Sequence, residues 1–240
     1  MQVTEPLVTV HKAPRFDAMQ LTQALMGETL LCFDVAEGWA FVQLDADGYV
    51  GYVAAHALSD RVEQGTHRVA VPATHIYTAA SIKTQPAVAV TMNAVVNVVS
   101  DDGKFARLSD GRFMFLRHLW PVGEHEPDFV SVAERFLHVP YYWGGKSVHG
   151  IDCSGLVQLS LAAAGIACLR DSDMQESSLG TVLGLERLDD LRRGDLVFWS
   201  GHVGIMTDTE TLLHANGHHM MVVANRCAPR WTALPPIMAG

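Results

Sequence analysis

The sequence predicts an α+β protein: two small strand-rich units, then a domain in which helices come first and strands after. Three observations carry that expectation. Residues 1–122 are short apolar runs broken by Gly- and Asp-containing turns, helical spacing begins abruptly after His125-Glu126-Pro127, and the strand-like stretches DLVFW, HVGIMTD, TLLHA and MMVVA come later. The expected domain boundaries are 1–62, 63–122 and 123–240.

In the first unit, ETLLCFDVAEGWAFVQLDADGYVGYV reads as strands reversing at Glu37-Gly38 and Ala46-Asp47-Gly48, the patterning of a small β-barrel. HRVAVPATHIYT and AVAVTMNAVVNVVSDDGKFARLSDGRFMFLRHL form a fainter second copy, in which Asp102-Gly103 and Asp110-Gly111 stand where the first copy turns. In the third unit, DFVSVAERFLH sets Phe129, Val130, Val132, Ala133, Phe136 and Leu137 at helical spacing. A glycine-rich turn then leads into CSGLVQLSLAAAGI, a second helix with Asp152 as its N-cap and Gly165 as its stop.

A chain of 240 residues, 49% of them hydrophobic, has ample material for packed cores. A net charge of -9 leaves no basic stripe for phosphates, which argues against nucleic acid and anionic membrane surfaces as partners and for a neutral or cationic small substrate. The opening MQVTEPLVTVHKAP lacks a basic start and a long apolar core, and no apolar run reaches membrane-spanning length, so a cytoplasmic location is expected. Cys32, Cys153, Cys168 and Cys227 are too scattered for a disulfide framework, and reduced thiols follow.

Cys153 opens the second helix, where the helix dipole and unpaired N–H groups favour a thiolate, and Gly155 is expected to leave room for an incoming substrate. A nucleophilic thiol needs a base. His202 heads HVGIMTD and His214 lies in TLLHA; a hairpin through Asp208-Thr209-Glu210 brings their rings together, so that His202 takes the thiol proton and His214 orients it. Cys32, Cys168 and Cys227 read as small hydrophobes, and His218 and His219 as surface residues. Cys153, His202 and His214 match no compact zinc spacing, and neither a metal nor a cofactor is expected.

PYYWGGKSVHGIDCSGLVQLSLAAAGI, LRRGDLVFWSGHVGIM and LLHANG, in this order, resemble the NlpC/P60 family of cysteine peptidases, and the N-terminal half is similar to the bacterial SH3-type modules attached to it. The resemblance implies a papain-like catalytic domain preceded by two SH3-like barrels, with Cys153 as nucleophile, His202 as base, His214 as the orienting residue and Tyr141 as an oxyanion donor. It implies a murein-derived peptide as substrate, cut between γ-D-glutamate and a diamino acid, and RDSDMQ is similar to the binding segment of a branch that takes stem peptides with a free N-terminal L-alanine during wall recycling. By that resemblance Asp171 meets the free amine, Glu28 and Tyr49 complete its pocket, and Ser172 and Ser154 hold the D-glutamate carboxylate beside Asp152. Leu169 stands where that branch has proline. Alternative activities on the same residues are hydrolysis of intact peptidoglycan and acyl transfer.

Overall fold

Along Trp39–Leu44 the side chains of Ala40, Val42 and Leu44 are buried while Trp39, Phe41 and Gln43 are only partly so, the period-two pattern of a strand with one face on a core. In the computed structural model, which describes residues 1–183 and 190–226, this strand belongs to the first of two like sheets. The first sheet holds β1 (Leu7–His11), β2 (Gln20–Leu25), β3 (Leu30–Ala36), β4 (Trp39–Leu44) and β5 (Val50–Ala54) in the antiparallel order β2-β1-β5-β4-β3. The second holds β6 (Ala73–Tyr77), β7 (Pro86–Thr91), β8 (Val98–Asp101), β9 (Phe105–Leu108) and β10 (Phe113–Phe115) in the order β7-β6-β10-β9-β8. The strand order is the same in both, and each last strand runs into a 3₁₀ turn, Ala55–Ala57 and Leu116–His118. The faint internal repeat is thus a repeat of topology.

These two sheets lie in one compact unit, Met1–His125. Val95 N–H donates to Met26 O at 2.8 Å, Gln2 bonds both Gly27 and Glu63, and the Met26 side chain packs into the second core with Val69, Ile76 and Val96. At Gly27, φ is +84° and a Cβ would run into the Val95 carbonyl, so the close approach requires glycine.

The other unit, Glu126–Gly240, begins with α1 (Phe129–Glu134), capped by Asp128, whose carboxylate accepts Val130 N–H at 2.9 Å. This helix is shorter than the apolar spacing through Leu137 suggests. His138 N–H donates to Val222 O at 2.9 Å and Val222 N–H to Val139 O at 2.8 Å, so a strand edge captures the backbone that would have continued the helix. Arg193 fastens α1 from outside through Asp128 and Glu134, both at 2.8 Å.

Helix α2 (Cys153–Ala163) is buried on every side from Cys153 to Leu161, as expected of a central helix with no polar stripe. It ends as its sequence indicates: Gly165 has φ +76° and Ile166 N–H reaches back to Leu161 O at 2.9 Å. A short helix, α3 (Ser172–Ser178), follows, and then a meander of β11 (Leu196–Trp199), β12 (His202–Met206), β13 (Thr211–Asn216) and β14 (Met221–Arg226), paired in that order, with α2 against β12 and β13. The periodic segments supplied no signal for α3, a helix too short for hydrophobic spacing to register. No helix among the described residues is long and apolar enough to cross a membrane. Cys227 lies outside the described residues.

Candidate active site

The start of α2 is built on one carboxylate. Asp152 Oδ1 accepts Gly155 N–H at 2.7 Å as the N-cap, and Oδ2 accepts Gly144 N–H at 2.8 Å and Arg170 Nη2 at 2.7 Å. Arg170 also donates to Ser154 Oγ at 2.7 Å and is only 1% exposed. Gln175, fully buried, spans this segment by donating to Leu169 O and Ser154 O at 2.9 and 3.0 Å. Gly155 serves a different purpose from the one its position suggested. A Cβ there would collide with the Gly145 carbonyl, so the missing side chain admits the glycine-rich turn and not a substrate.

Cys153 is the first residue of α2, and the backbone N–H groups of Val203 and Ser154 approach its sulfur. Burial nonetheless pushes the thiol up to about 11, with the Asp152 charge adding to the effect. Desolvation thus outweighs the backbone donors at the helix start, and the thiol needs the base that the sequence led one to expect. Tyr141, on the segment leading into the turn, is half-buried; burial raises its hydroxyl pKa, and the nearby Cys153 and Asp152 raise it further, so it remains an O–H donor.

His202 follows the Ser200–Gly201 turn at the head of β12, paired with Trp199, whose ring lies 4.5 Å from its own. Backbone pairing between β12 and β13 is confined to Ile205–Leu213 and Met206–Leu212, and continuing that register sets His214 diagonal to His202 on the same face. Their rings meet: His202 Nε2 is 2.9 Å from His214 Nδ1. His214 Nε2 is in turn 3.1 Å from the amide nitrogens of both Asn216 and Asn225. Burial is the main cause that lowers both histidines to about 4; next come His214 for His202 and His219 for His214. With Nε2 engaged by His214, Nδ1 is the nitrogen His202 has left for the thiol proton. No hydrogen bond joins the sulfur to either ring among the described residues, and Val203, next to His202, carries one of the N–H groups at the sulfur.

The residues expected to bind substrate fall into separate places. Asp152 and Ser154 are buried and occupied by internal partners, chiefly Arg170. Asp171 is the extended N-cap position of α3 and makes no side-chain cap, while Ser172 begins that helix; both are partly exposed. Glu28 and Tyr49 lie in the N-terminal unit, where Glu28 accepts Leu25 N–H at 3.0 Å and Tyr49 packs on the first core. Arg170, Gln175, Asn216 and Asn225 were not foreseen. Arg170 and Gln175 serve partners distant in sequence and Asn225 one across a strand pair, whereas Asn216 serves the ring two residues before it on its own strand; their available signal was position, within RDSDMQ and LLHAN and at the end of the last strand.

A buried thiol at a helix start, a tyrosine O–H beside it and a histidine pair one strand away have the composition of a thiol-nucleophile site for acyl chemistry. Residues 138–233 match the NlpC/P60 family, and residues 10–58 match the bacterial dipeptidyl-peptidase Sh3 domain. The chain is 32% identical over 120 residues to dipeptidyl-peptidase 6 of Lysinibacillus sphaericus (46% of this chain, 43% of that one). It is 26% identical over 219 residues to the gamma-D-glutamyl-L-lysine dipeptidyl-peptidase of Bacillus subtilis (81% and 71%) and 31% identical over 121 residues to a probable endopeptidase of Haemophilus influenzae (46% and 73%). It thus spans less than half the length of the first of these relatives. A crystal structure of an NlpC/P60 family protein from Bacillus cereus shares the fold, with a TM-score of 0.80 over 95% of this chain and 94% of that one at 22% identity. Carrying Cys153 at the head of a buried helix and a histidine pair on the sheet beside it, behind SH3-type strands, the chain belongs to the NlpC/P60 family.

Proposed function

We propose that the protein is a cysteine peptidase that hydrolyses the bond between γ-D-glutamate and a diamino acid in peptidoglycan stem peptides bearing a free N-terminal L-alanine, in the recycling of wall peptides in the cytoplasm. The observation that carries this reading is the link between His214 and His202, whose neighbour in the chain, Val203, brings its N–H to the Cys153 sulfur. The names of the relatives that match both halves of the chain support the bond chosen.

In this reading the Cys153 sulfur attacks the γ-carbonyl carbon as its proton passes to Nδ1 of His202. Tyr141 O–H and the Cys153 backbone N–H receive the negative charge on oxygen. The C–N bond breaks, the amine of the diamino acid leaves with the proton from His202, and a thioester remains. Water, deprotonated by His202, then attacks the thioester, releasing the γ-carboxylate and restoring the thiol. Selection for a free amine fits the carboxylate of Asp171, because an ammonium forms charge-assisted hydrogen bonds that an acetylated terminus cannot.

The test is hydrolysis of L-Ala-γ-D-Glu-diaminopimelate beside its N-acetylated form, by the unaltered protein and by Cys153→Ala. Cleavage of the free peptide only, abolished in the variant, is expected. Equal cleavage of both forms would favour action on intact peptidoglycan, and turnover by Cys153→Ala would sink the nucleophile assignment.

A further inference from the structure

The contact between His202 and His214 has no direction until the proton between the rings is assigned, and Asn216 assigns it. Asn216 Oδ1 accepts the backbone N–H of His219 at 2.9 Å, a group that can only donate. That settles which end of the amide is oxygen. The nitrogen end therefore points at His214 Nε2 as a donor, from 3.1 Å, and Nε2 must offer its lone pair. A neutral imidazole carries one ring proton, so that of His214 is on Nδ1 and is donated to His202 Nε2, 2.9 Å away. His202, accepting there, keeps its own proton on Nδ1.

We infer that Asn216, held by the His219 N–H, is a positioning residue that keeps the histidine pair in the tautomer unable to take the proton of Cys153. The inference rests on the thiol–imidazole reading above. Before His202 can receive a proton at Nδ1, that nitrogen must be bare and Nε2 protonated, so His214 must accept at Nδ1 and carry a proton on Nε2. One proton leaves His202 Nδ1, one crosses from His214 Nδ1 to His202 Nε2 and one arrives at His214 Nε2; the pair stays neutral throughout. Asn216 opposes the arriving proton, since two donors would then face each other. Asn225 does not, because its side chain makes no other hydrogen bond among the described residues and an amide flip presents its oxygen to His214 Nε2.

Other ionisable groups bear on the pair from each side. Asp152, held by Arg170, favours protonated His202, whereas His219 opposes protonation of His214, and Cys153 is the proton's source. Asn216→Asp keeps an oxygen for the His219 N–H and turns the other position into an acceptor, which reverses the tautomer with the least change of shape.

The tautomer is read directly in the ¹⁵N-labelled protein by two-bond ¹H–¹⁵N correlation of the histidine rings. We expect His214 protonated at Nδ1 in the unaltered protein and at Nε2 in Asn216→Asp. Alkylation of Cys153 by iodoacetamide near pH 7 should be faster in Asn216→Asp by about tenfold, and the gain should vanish when His202→Ala is added. A His214 protonated at Nε2 in the unaltered protein overturns the inference and needs no variant to fold; so does an unchanged alkylation rate in folded Asn216→Asp. Neither readout uses a peptide substrate. Failure to cleave stem peptides, with the tautomer as expected, would overturn the proposed activity and leave this inference standing.

Discussion

Arg170 Nη2 lies 2.7 Å from Asp152 Oδ2, an ion pair sealed at the N-terminus of the helix that carries Cys153, with the arginine side chain 1% exposed. The same guanidinium bonds Ser154 on the other side of the cysteine, so residues 152 and 154 are both held from one distant position.

Removing one partner of such a pair strands the other charge in the interior. Arg170→Ala should lower unfolding free energy by about 3–5 kcal/mol, read from urea denaturation. Arg170→Lys should recover only part of it, because a lysine cannot serve Asp152 and Ser154 in the fixed fork of a guanidinium. A variant as stable as the parent would show that the pair does not organise the helix start.

Tyr141→Phe removes only an O–H. If that group holds the oxyanion, kcat on the free stem peptide should drop by about 10²- to 10³-fold while thermal stability stays close to the parent. A loss of less than a few fold would return Tyr141 to the role of a packing aromatic.

The two histidines, lowered from the usual 6.5 to about 4, bind fewer protons folded than unfolded between those values. Their contribution to stability is therefore complete above pH 6.5 and is lost as the pH falls towards 4. The thiol, raised from 9.0 to about 11, works in the opposite sense: its contribution is complete below pH 9 and is lost as the pH climbs towards 11. Urea midpoints measured from pH 4 to 11 should fall at both ends, and His202→Gln should flatten the acid side. An acid slope unaffected by His202→Gln would contradict this account.

Gly155→Ala places a methyl group against the Gly145 carbonyl, where backbone has to move. The expected cost is about 1–3 kcal/mol, with reduced turnover because the displaced turn adjoins Asp152 and Tyr141. A variant with parental stability and activity would restore the view that this glycine clears space for substrate.

Glu28 accepts the Leu25 N–H through its carboxylate, and Glu28→Gln preserves an acceptor while removing the charge. The family resemblance gives Glu28 a part in recognising the free amine, and on that expectation discrimination between free and acetylated stem peptides should shrink in Glu28→Gln with little change in stability. Unaltered discrimination would show that the Glu28 charge does not select the amine.

The parts legible beforehand depend on near neighbours in the chain. Asp152 as a cap, Gly165 as a stop, the alternation of Trp39–Leu44 and the placement of His202 and His214 on adjoining strands all follow from residues a few positions apart. So does the internal repeat, whose second copy kept its turn residues while its apolar spacing faded. The resemblance carried by the DCSG, GDLVFW and HVGIM segments added the family, which no amount of periodicity would have supplied.

By itself, then, the sequence determined the order of elements, the residue that heads the buried helix and the two rings that face each other. Only the tertiary structure decided that Arg170 neutralises Asp152, that Gly155 makes way for a backbone carbonyl, and that Asn225 brings its amide nitrogen to His214 from the next strand. The reason is physical. Caps and periods are satisfied within a few residues, whereas a buried polar group can be satisfied by any donor or acceptor the fold carries to it, and local sequence does not say which one arrives.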